Sequence, residues 1–359
     1  MNISTTKVLT SDISNMGASK QDQMEDMMRN FLGLPPGGTP GYNPKVKSLG
    51  SGFFISADGY VVTNRHIVAG ADEIYGGGGN DRILSGSGND EVYAGSGNDV
   101  VIAGGGVESF YGGSGKDYIS YYASSNGVTL NLAEDTASGS WASNDIVEDF
   151  ESVGGSRTGD DSIIGTSGSN TIRTYGGDDR VAAGSGSDKV ELGDGDDYVR
   201  AGGGKESFYG GDGKDWISYY DSSNGVTVNL ATDTVSGSWA SNDIVEDFES
   251  ISGSRTGDDS IIGTSGANVI KTYGGDDRVA AGSGSDRVEL GSGDDYVRAG
   301  GGKESFYGGD GKDWISYYDS SSGVTLNLAE NTASGSWASN DIVEDFESVS
   351  GSGSGDDSI

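Results

Sequence analysis

Asp81, Asp90 and Asp99 stand nine residues apart, and the same interval separates Asp179, Asp188 and Asp197, and again Asp277, Asp286 and Asp295. Each aspartate closes a Gly-rich turn and is followed, two residues later, by an apolar side chain, as in GGGGNDRIL (76–84), SGSGNDEVY (85–93) and AGSGNDVVI (94–102). The shared phrase is G-G-x-G-x-D-x-U-x, with U a large apolar residue. Its sixth position places a hard anionic oxygen at a fixed interval, and the exposed carbonyls of the turn add neutral ones. Together these make the donor set that calcium prefers, six to eight oxygens. Glycine is required where the backbone adopts positive φ or approaches a neighbour closely.

Such phrases must be held in stacked coils, and their arrangement along the chain supports this. Runs of five (76–120), seven (156–218) and seven (254–316) phrases follow without a gap, two phrases making one 18-residue coil. The first six residues of each phrase predict a turn and the last three a short strand, with U pointing inward. One inward apolar residue in nine buries too little surface to order the phrase, and stacking brings like-charged aspartates together. The expectation is therefore a chain disordered without metal and folded with it, ion binding serving as folding free energy.

Composition agrees with an ion-filled repeat rather than an ordinary globular domain. The 359 residues include 65 Gly against a usual share of ~7%, only 33% are apolar, and the formal net charge is −34. That balance argues against nucleic acid or an anionic membrane as a partner. There is no cysteine to report a redox compartment. The N-terminal MNISTTKVLTSDISNMG lacks the apolar core of a secretory signal, and no stretch approaches the ~20 apolar residues of a membrane span.

Around the arrays lie other textures. Residues 1–45 read as a flexible leader, with an amphipathic stretch from Ser19 to Leu32 and a linker marked by Pro35, Pro36, Pro40 and Pro44. Residues 46–75 predict a β-hairpin, FFIS and YVVTN about Ala57-Asp58-Gly59. Spacers at 121–155, 219–253 and 317–351 repeat at 98-residue intervals, each with further strand signals and the string WASNDIVEDFES. Their Trp141, Trp239 and Trp337, with the tyrosine pairs at 121–122, 219–220 and 317–318, are expected to pack each spacer against the end of a roll; a sugar-stacking surface is the alternative. A fourth array opens at Ser352 and stops within its first phrase at Ile359, so a truncated chain is expected.

The unbroken runs resemble the RTX (repeats-in-toxin) family of hemolysin-type calcium-binding proteins, and the GVTVNL…IVEDFESISGS spacers resemble those of large RTX proteins. The resemblance implies an all-β fold, a right-handed parallel β-roll in several blocks, with calcium in rows along its edges. It also implies an extracellular protein exported unfolded by type I secretion machinery. Carried onto this sequence, the calcium ligands are Asp81, Asp90, Asp99 and Asp117 in the first array. They are Asp161, Asp179, Asp188, Asp197 and Asp215 in the second, and Asp259, Asp277, Asp286, Asp295 and Asp313 in the third. Glu108, Glu206 and Glu304, one methylene longer, and the neutral Asn170 and Asn268 depart from the pattern and are expected to bind weakly or not at all.

Residues 48–74, SLGSGFFISADGYVVTNRHIVAGADEI, resemble the opening hairpin of HtrA/Deg-type trypsin-like serine proteases, which implies a catalytic role for His66, the sole histidine. A triad also needs an orienting acid and a nucleophile beside an oxyanion hole. The family's G-N-S-G-G loop is absent, and Asn144-Asp145-Ile146-Val147, similar to its acid motif, recurs at 242–245 and 340–343 as part of the spacer. No catalytic residue is assigned, His66 being one only under a protease reading. The sequence thus predicts a secreted, calcium-binding, non-enzymatic structural or interaction module. A fragment of a larger secreted enzyme or adhesin is the second reading, and a protease with appended repeats the third. It names no cell-surface or glycan partner.

Overall fold

The computed structural model describes residues 73–359 except 140, 238 and 241, and the backbone of the strands Ser4–Lys7, Val46–Leu49, Phe53–Phe54 and Val61–Val62. His66, the amphipathic stretch from Ser19 to Leu32 and the proline-marked linker lie outside the described residues. Among the described residues there is no helix, hence none long and apolar enough to cross a membrane.

The fold is an all-β, parallel-strand solenoid with the two-sheet form of a β-roll. Successive phrases send their strands alternately into two sheets, one of 19 strands and one of 15. Glu73–Gly78 pairs in parallel with Glu91–Ser96, and that strand with Ser109–Ser114; on the other side Arg82–Leu84, Val100–Ile102 and Tyr118–Ser120 do the same. The register is 18 residues per coil, Val92 opposite Phe110 and Val101 opposite Ile119. The U side chains meet between the sheets, with Val92, Val101, Phe110 and Ile119 fully buried. Phe53–Phe54 pairs antiparallel with Val61–Val62, the hairpin expected there. Ser4–Lys7 lies antiparallel between Val46–Leu49 and Glu73–Gly78, covering the first roll strand.

Coils stack closely enough to explain the glycine. Gly95 has φ +117°, and a Cβ there would lie 2.1 Å from the Gly77 carbonyl oxygen of the preceding coil. No other residue fits both the backbone conformation and the approach.

The spacers do not interrupt the roll. Asp145–Glu148 pairs in parallel with Ser109–Ser114, Val147 standing opposite Phe110, and Ser152–Gly154 joins Tyr118–Ser120 to Thr171–Gly176. What each spacer adds is an antiparallel pair, Val128–Asn131 with Thr136–Gly139 in the first. This pair enters the sheet of Ser109–Ser114, whereas its counterpart in the second spacer, Val226–Asn229 with Thr234–Gly237, enters the opposite sheet. The third returns to the first sheet. The cause is arithmetic: seven phrases, one strand each, bring the chain out on the other side.

Candidate functional site

The sixth-position side chains turn inward at the two edges of the roll, where the turns stack. At one edge they form a ladder. The Asp81 N–H donates to Asp99 Oδ1 at 2.7 Å, and the Asp99 N–H to Asp117 Oδ1 at 2.7 Å. In the second array Asp161, Asp179, Asp197 and Asp215 are linked in the same way at 2.7, 2.7 and 2.9 Å. In the third, Asp259, Asp277, Asp295 and Asp313 follow at 2.7, 2.7 and 3.0 Å. Within each array the opposite edge carries Asp90, Asp188 or Asp286, equally buried, the two edges exchanging in the second array as the sheets do; Asp188 and Asp286 receive the N–H groups of Asn170 and Asn268.

Both oxygens of Asp81 are buried without a partner; of each carboxylate after the first of its array, this ladder uses one oxygen. The second, Oδ2, is buried without a hydrogen-bond partner in Asp99, Asp117, Asp179, Asp188, Asp197, Asp215, Asp277, Asp286, Asp295 and Asp313. A buried charged oxygen without a partner costs several kcal/mol, on the order of the penalty for an ion in a protein interior. The electrostatics report the same strain: burial pushes Asp179 up to about 7 and Asp197 up to about 6, with neighbouring aspartates adding to the shift. Among the described residues no three acids or imidazoles converge on one point. An ion here would be held by carboxylates of adjacent coils together with turn carbonyls, a donor set that fits calcium and requires no histidine or cysteine.

Two of the anticipated ligands stand apart. Both oxygens of Asp161 are taken, Oδ1 by the Val128 N–H and Oδ2 by the Ser156 N–H, each at 2.8 Å; Asp259 is held likewise by Val226 and Ser254. These aspartates tie the start of an array to the preceding spacer hairpin. Asn170 is also satisfied internally: its Nδ2 donates to the Glu151 carbonyl and to Thr166 Oγ1, and its Oδ1 accepts the Thr166 N–H. Asn268 repeats the arrangement.

Other residues join the ladders unannounced by the phrase. Asp117, Asp215 and Asp313 each donate their N–H to a spacer glutamate, Glu151, Glu249 and Glu347, at 2.8 Å. Glu108, Glu206 and Glu304 donate theirs to Asp145, Asp243 and Asp341 at 2.9 Å. The string SWASNDIVE (140–148) therefore behaves as a roll phrase, with Asp145 sixth and Val147 as U. The available signal was the apolar residue two positions after the acid. Ser140, Trp141 and Ser143 in place of glycines hid it.

A row of buried, half-satisfied carboxylates between stacked Gly-rich turns defines a calcium-binding β-roll. Comparison with known families agrees. A family model for the RTX calcium-binding nonapeptide repeat, in sets of four copies, matches residues 69–92, 85–119, 157–190, 184–217, 255–288 and 281–315. These segments, just under half of the chain, belong to that repeat family. A separate likeness is to proteins named "probable periplasmic serine endoprotease DegP-like". One from Hahella chejuensis is 41% identical over 81 residues, 21% of this chain and 16% of that protein. One from Halomonas elongata is 38% identical over 82 residues, 21% and 17%. A third, from Pseudomonas putida, is 70% identical over 30 residues, 8% and 6%. The chain thus spans about a sixth or less of the length of these relatives.

Proposed function

We propose that this chain is a secreted module whose arrays fold as they take up calcium, acting as a structural, interaction or export-folding element with no chemistry of its own. The observation that carries the reading is the unpartnered Oδ2 repeated along the roll edges. Calcium would be held by Asp81, Asp99, Asp117, Asp179, Asp188, Asp197, Asp215, Asp277, Asp286, Asp295 and Asp313, and by Asp90 in the same register. Asp161 and Asp259 act in this reading as protein-bound anchors. Calcium modules outside cells bind at about 10⁻⁴–10⁻³ M, an affinity that keeps such a chain unfolded in a calcium-poor cytosol and folds it outside, after passage through type I secretion machinery.

Calcium stoichiometry by equilibrium dialysis tests the assignment. Asp197→Asn should lower the number of bound ions, whereas Asp161→Asn should lower thermal stability in calcium at unchanged stoichiometry. Equal loss of ions from both variants would contradict the division.

The DegP-like likeness favours a second reading, a peptidase whose activity would need His66. A casein-cleavage assay of the wild type against His66→Ala decides it: activity lost in the variant supports the protease, and no activity in either supports the calcium module.

A further inference from the structure

We propose that each array carries, in its last phrase but one, an additional divalent-cation site built on Glu108, Glu206 and Glu304 and roofed by Trp141, Trp239 and Trp337. The inference rests on the reading of the roll as calcium-binding, and extends it to turns whose residue type departs from the repeat.

Glu206 is 1% exposed, yet neither Oε1 nor Oε2 has a hydrogen bond of good geometry, the Gly202 N–H only facing the carboxylate; Glu304 stands likewise beside Gly300. Glu108 differs in one respect, since the Ser85 hydroxyl donates to its Oε1 at 3.1 Å, leaving Oε2 without a partner. Alanine occupies the equivalent positions 183 and 281. Lys205, next in the chain, is exposed and forms no ion pair with Glu206. A wholly buried glutamate with at least one open oxygen is a demanding thing to build three times unless a cation meets it.

The neighbouring coils explain why the residue is glutamate. Along the aspartate ladder each turn offers one open Oδ2, so an ion between coils can draw one carboxylate oxygen from each. At the glutamate turn the following acid is Asp243, whose Oδ1 takes the Glu206 N–H at 2.9 Å and whose Oδ2 takes the Tyr219 hydroxyl at 3.1 Å. That turn has no carboxylate oxygen to give. Glu206 offers two in its place, and the preceding coil adds the open Oδ2 of Asp188. A bidentate glutamate suits calcium's larger, more flexible shell better than magnesium's octahedron. A carbonyl is also at hand. The place a Cβ on Gly202 would fill is 1.4 Å from Gly184 O and 3.1 Å from Glu206 Oε1, so both oxygens face the same gap in the turn.

The tryptophan closes it. The Trp239 ring lies 3.5 Å from the Cβ position of Gly203, Trp141 stands at 3.6 Å over Gly105, and Trp337 at 3.3 Å over Gly301. A Cβ at the middle glycine of AGGGKES would meet the ring at about van der Waals distance, whereas Gly202 and Gly204 lie so close to the Gly184 and Gly186 carbonyl oxygens, 1.4 and 1.5 Å from a Cβ, that neither could carry a side chain. The ring keeps water from the turn and strengthens an ion–carboxylate contact beneath it.

Terbium in place of calcium reads the site, because its emission is sensitised by a nearby indole. In a Trp216→Phe, Trp314→Phe background only Trp141, Trp239 and Trp337 remain, all on the glutamate turns. Adding Glu108→Gln, Glu206→Gln and Glu304→Gln should cut the sensitised emission severalfold and remove one bound calcium per replaced glutamate. Should the triple variant fail to fold, Glu206→Gln alone, with two arrays untouched, should lose a single ion. Unchanged emission and stoichiometry in the glutamine variants, with ions lost on Asp197→Asn, would overturn this site and leave the roll reading standing. A wild-type chain that takes up neither terbium nor calcium would overturn both.

Discussion

Tyr219 donates its hydroxyl to Asp243 at 3.1 Å across 24 residues of chain, and both groups are buried. Tyr121 and Asp145 are joined at 3.0 Å, and Tyr317 and Asp341 at 2.9 Å. In this turn a phenol supplies what the open oxygens of the aspartate turns lack. The spacer also carries more apolar side chains than the repeats: Tyr219, Val226, Val228, Leu230, Val235, Val245, Phe248 and Ile251 are all buried.

The spacers should therefore hold structure under conditions that melt the arrays. Hydrogen exchange on the full chain, with calcium lowered stepwise by chelator, should show amides of 226–252 protected after those of 171–200 have exchanged. Tyr219→Phe leaves Asp243 Oδ2 buried without a donor and should cost about 1.5–3 kcal/mol, the range for a hydrogen bond to a charged group. Simultaneous exchange of both regions would contradict the idea.

Close stacking makes the glycine ladder intolerant. Gly95→Ala brings a methyl group within 2.1 Å of the Gly77 carbonyl oxygen at a positive φ. It should lower stability in saturating calcium by about 1 kcal/mol or more, read as a fall in the thermal midpoint. Gly168→Ala, whose Cβ meets nothing nearer than 3.6 Å, is the control and should be far milder.

Acid should favour the fold when calcium is withheld. Burial, with help from Asp243 and Asp188, pushes Glu206 up to about 8, and burial pushes Asp179 up to about 7. In the unfolded chain such groups titrate near ~4. Below that value both states hold the protons and no penalty arises. Between ~4 and about 7–8 the folded, calcium-free chain retains protons that the unfolded chain has released, so stability falls as pH rises through the window. In chelator the β signal should thus be stronger at pH 4.5 than at pH 8. At pH 6–7 calcium uptake should release protons, measurable in two buffers of different ionisation enthalpy. A β signal in chelator that grows with pH would contradict this.

Much of this architecture is legible in the residues because each repeat rule has one physical solution. The interval of nine sets the phrase, the single U sets the inward face, and glycine at positive φ sets the turn. What escaped is instructive. SWASNDIVE is a roll phrase without glycines, its turn held by Asn144 at φ 62° and its acid by Tyr121, so a pattern built on glycine passes over it. Register alone does not distinguish Asp161 from Asp179; the difference lies in the Val128 and Ser156 amides that the spacer hairpin brings to Asp161. The glutamates read as weak variants by length, and their open oxygens are visible only once the coils are stacked. The like-charge stacking anticipated for the aspartates is relieved in part by each Oδ1 taking the N–H of the preceding coil.

The central claim is that calcium supplies the partner these carboxylates lack, and a titration of the full chain followed by far-UV circular dichroism tests it most directly. From chelator to ~10 mM calcium, with magnesium as control, a cooperative coil-to-β transition specific to calcium is expected. A full β signal already present in chelator at neutral pH, or an equal response to magnesium, would contradict it.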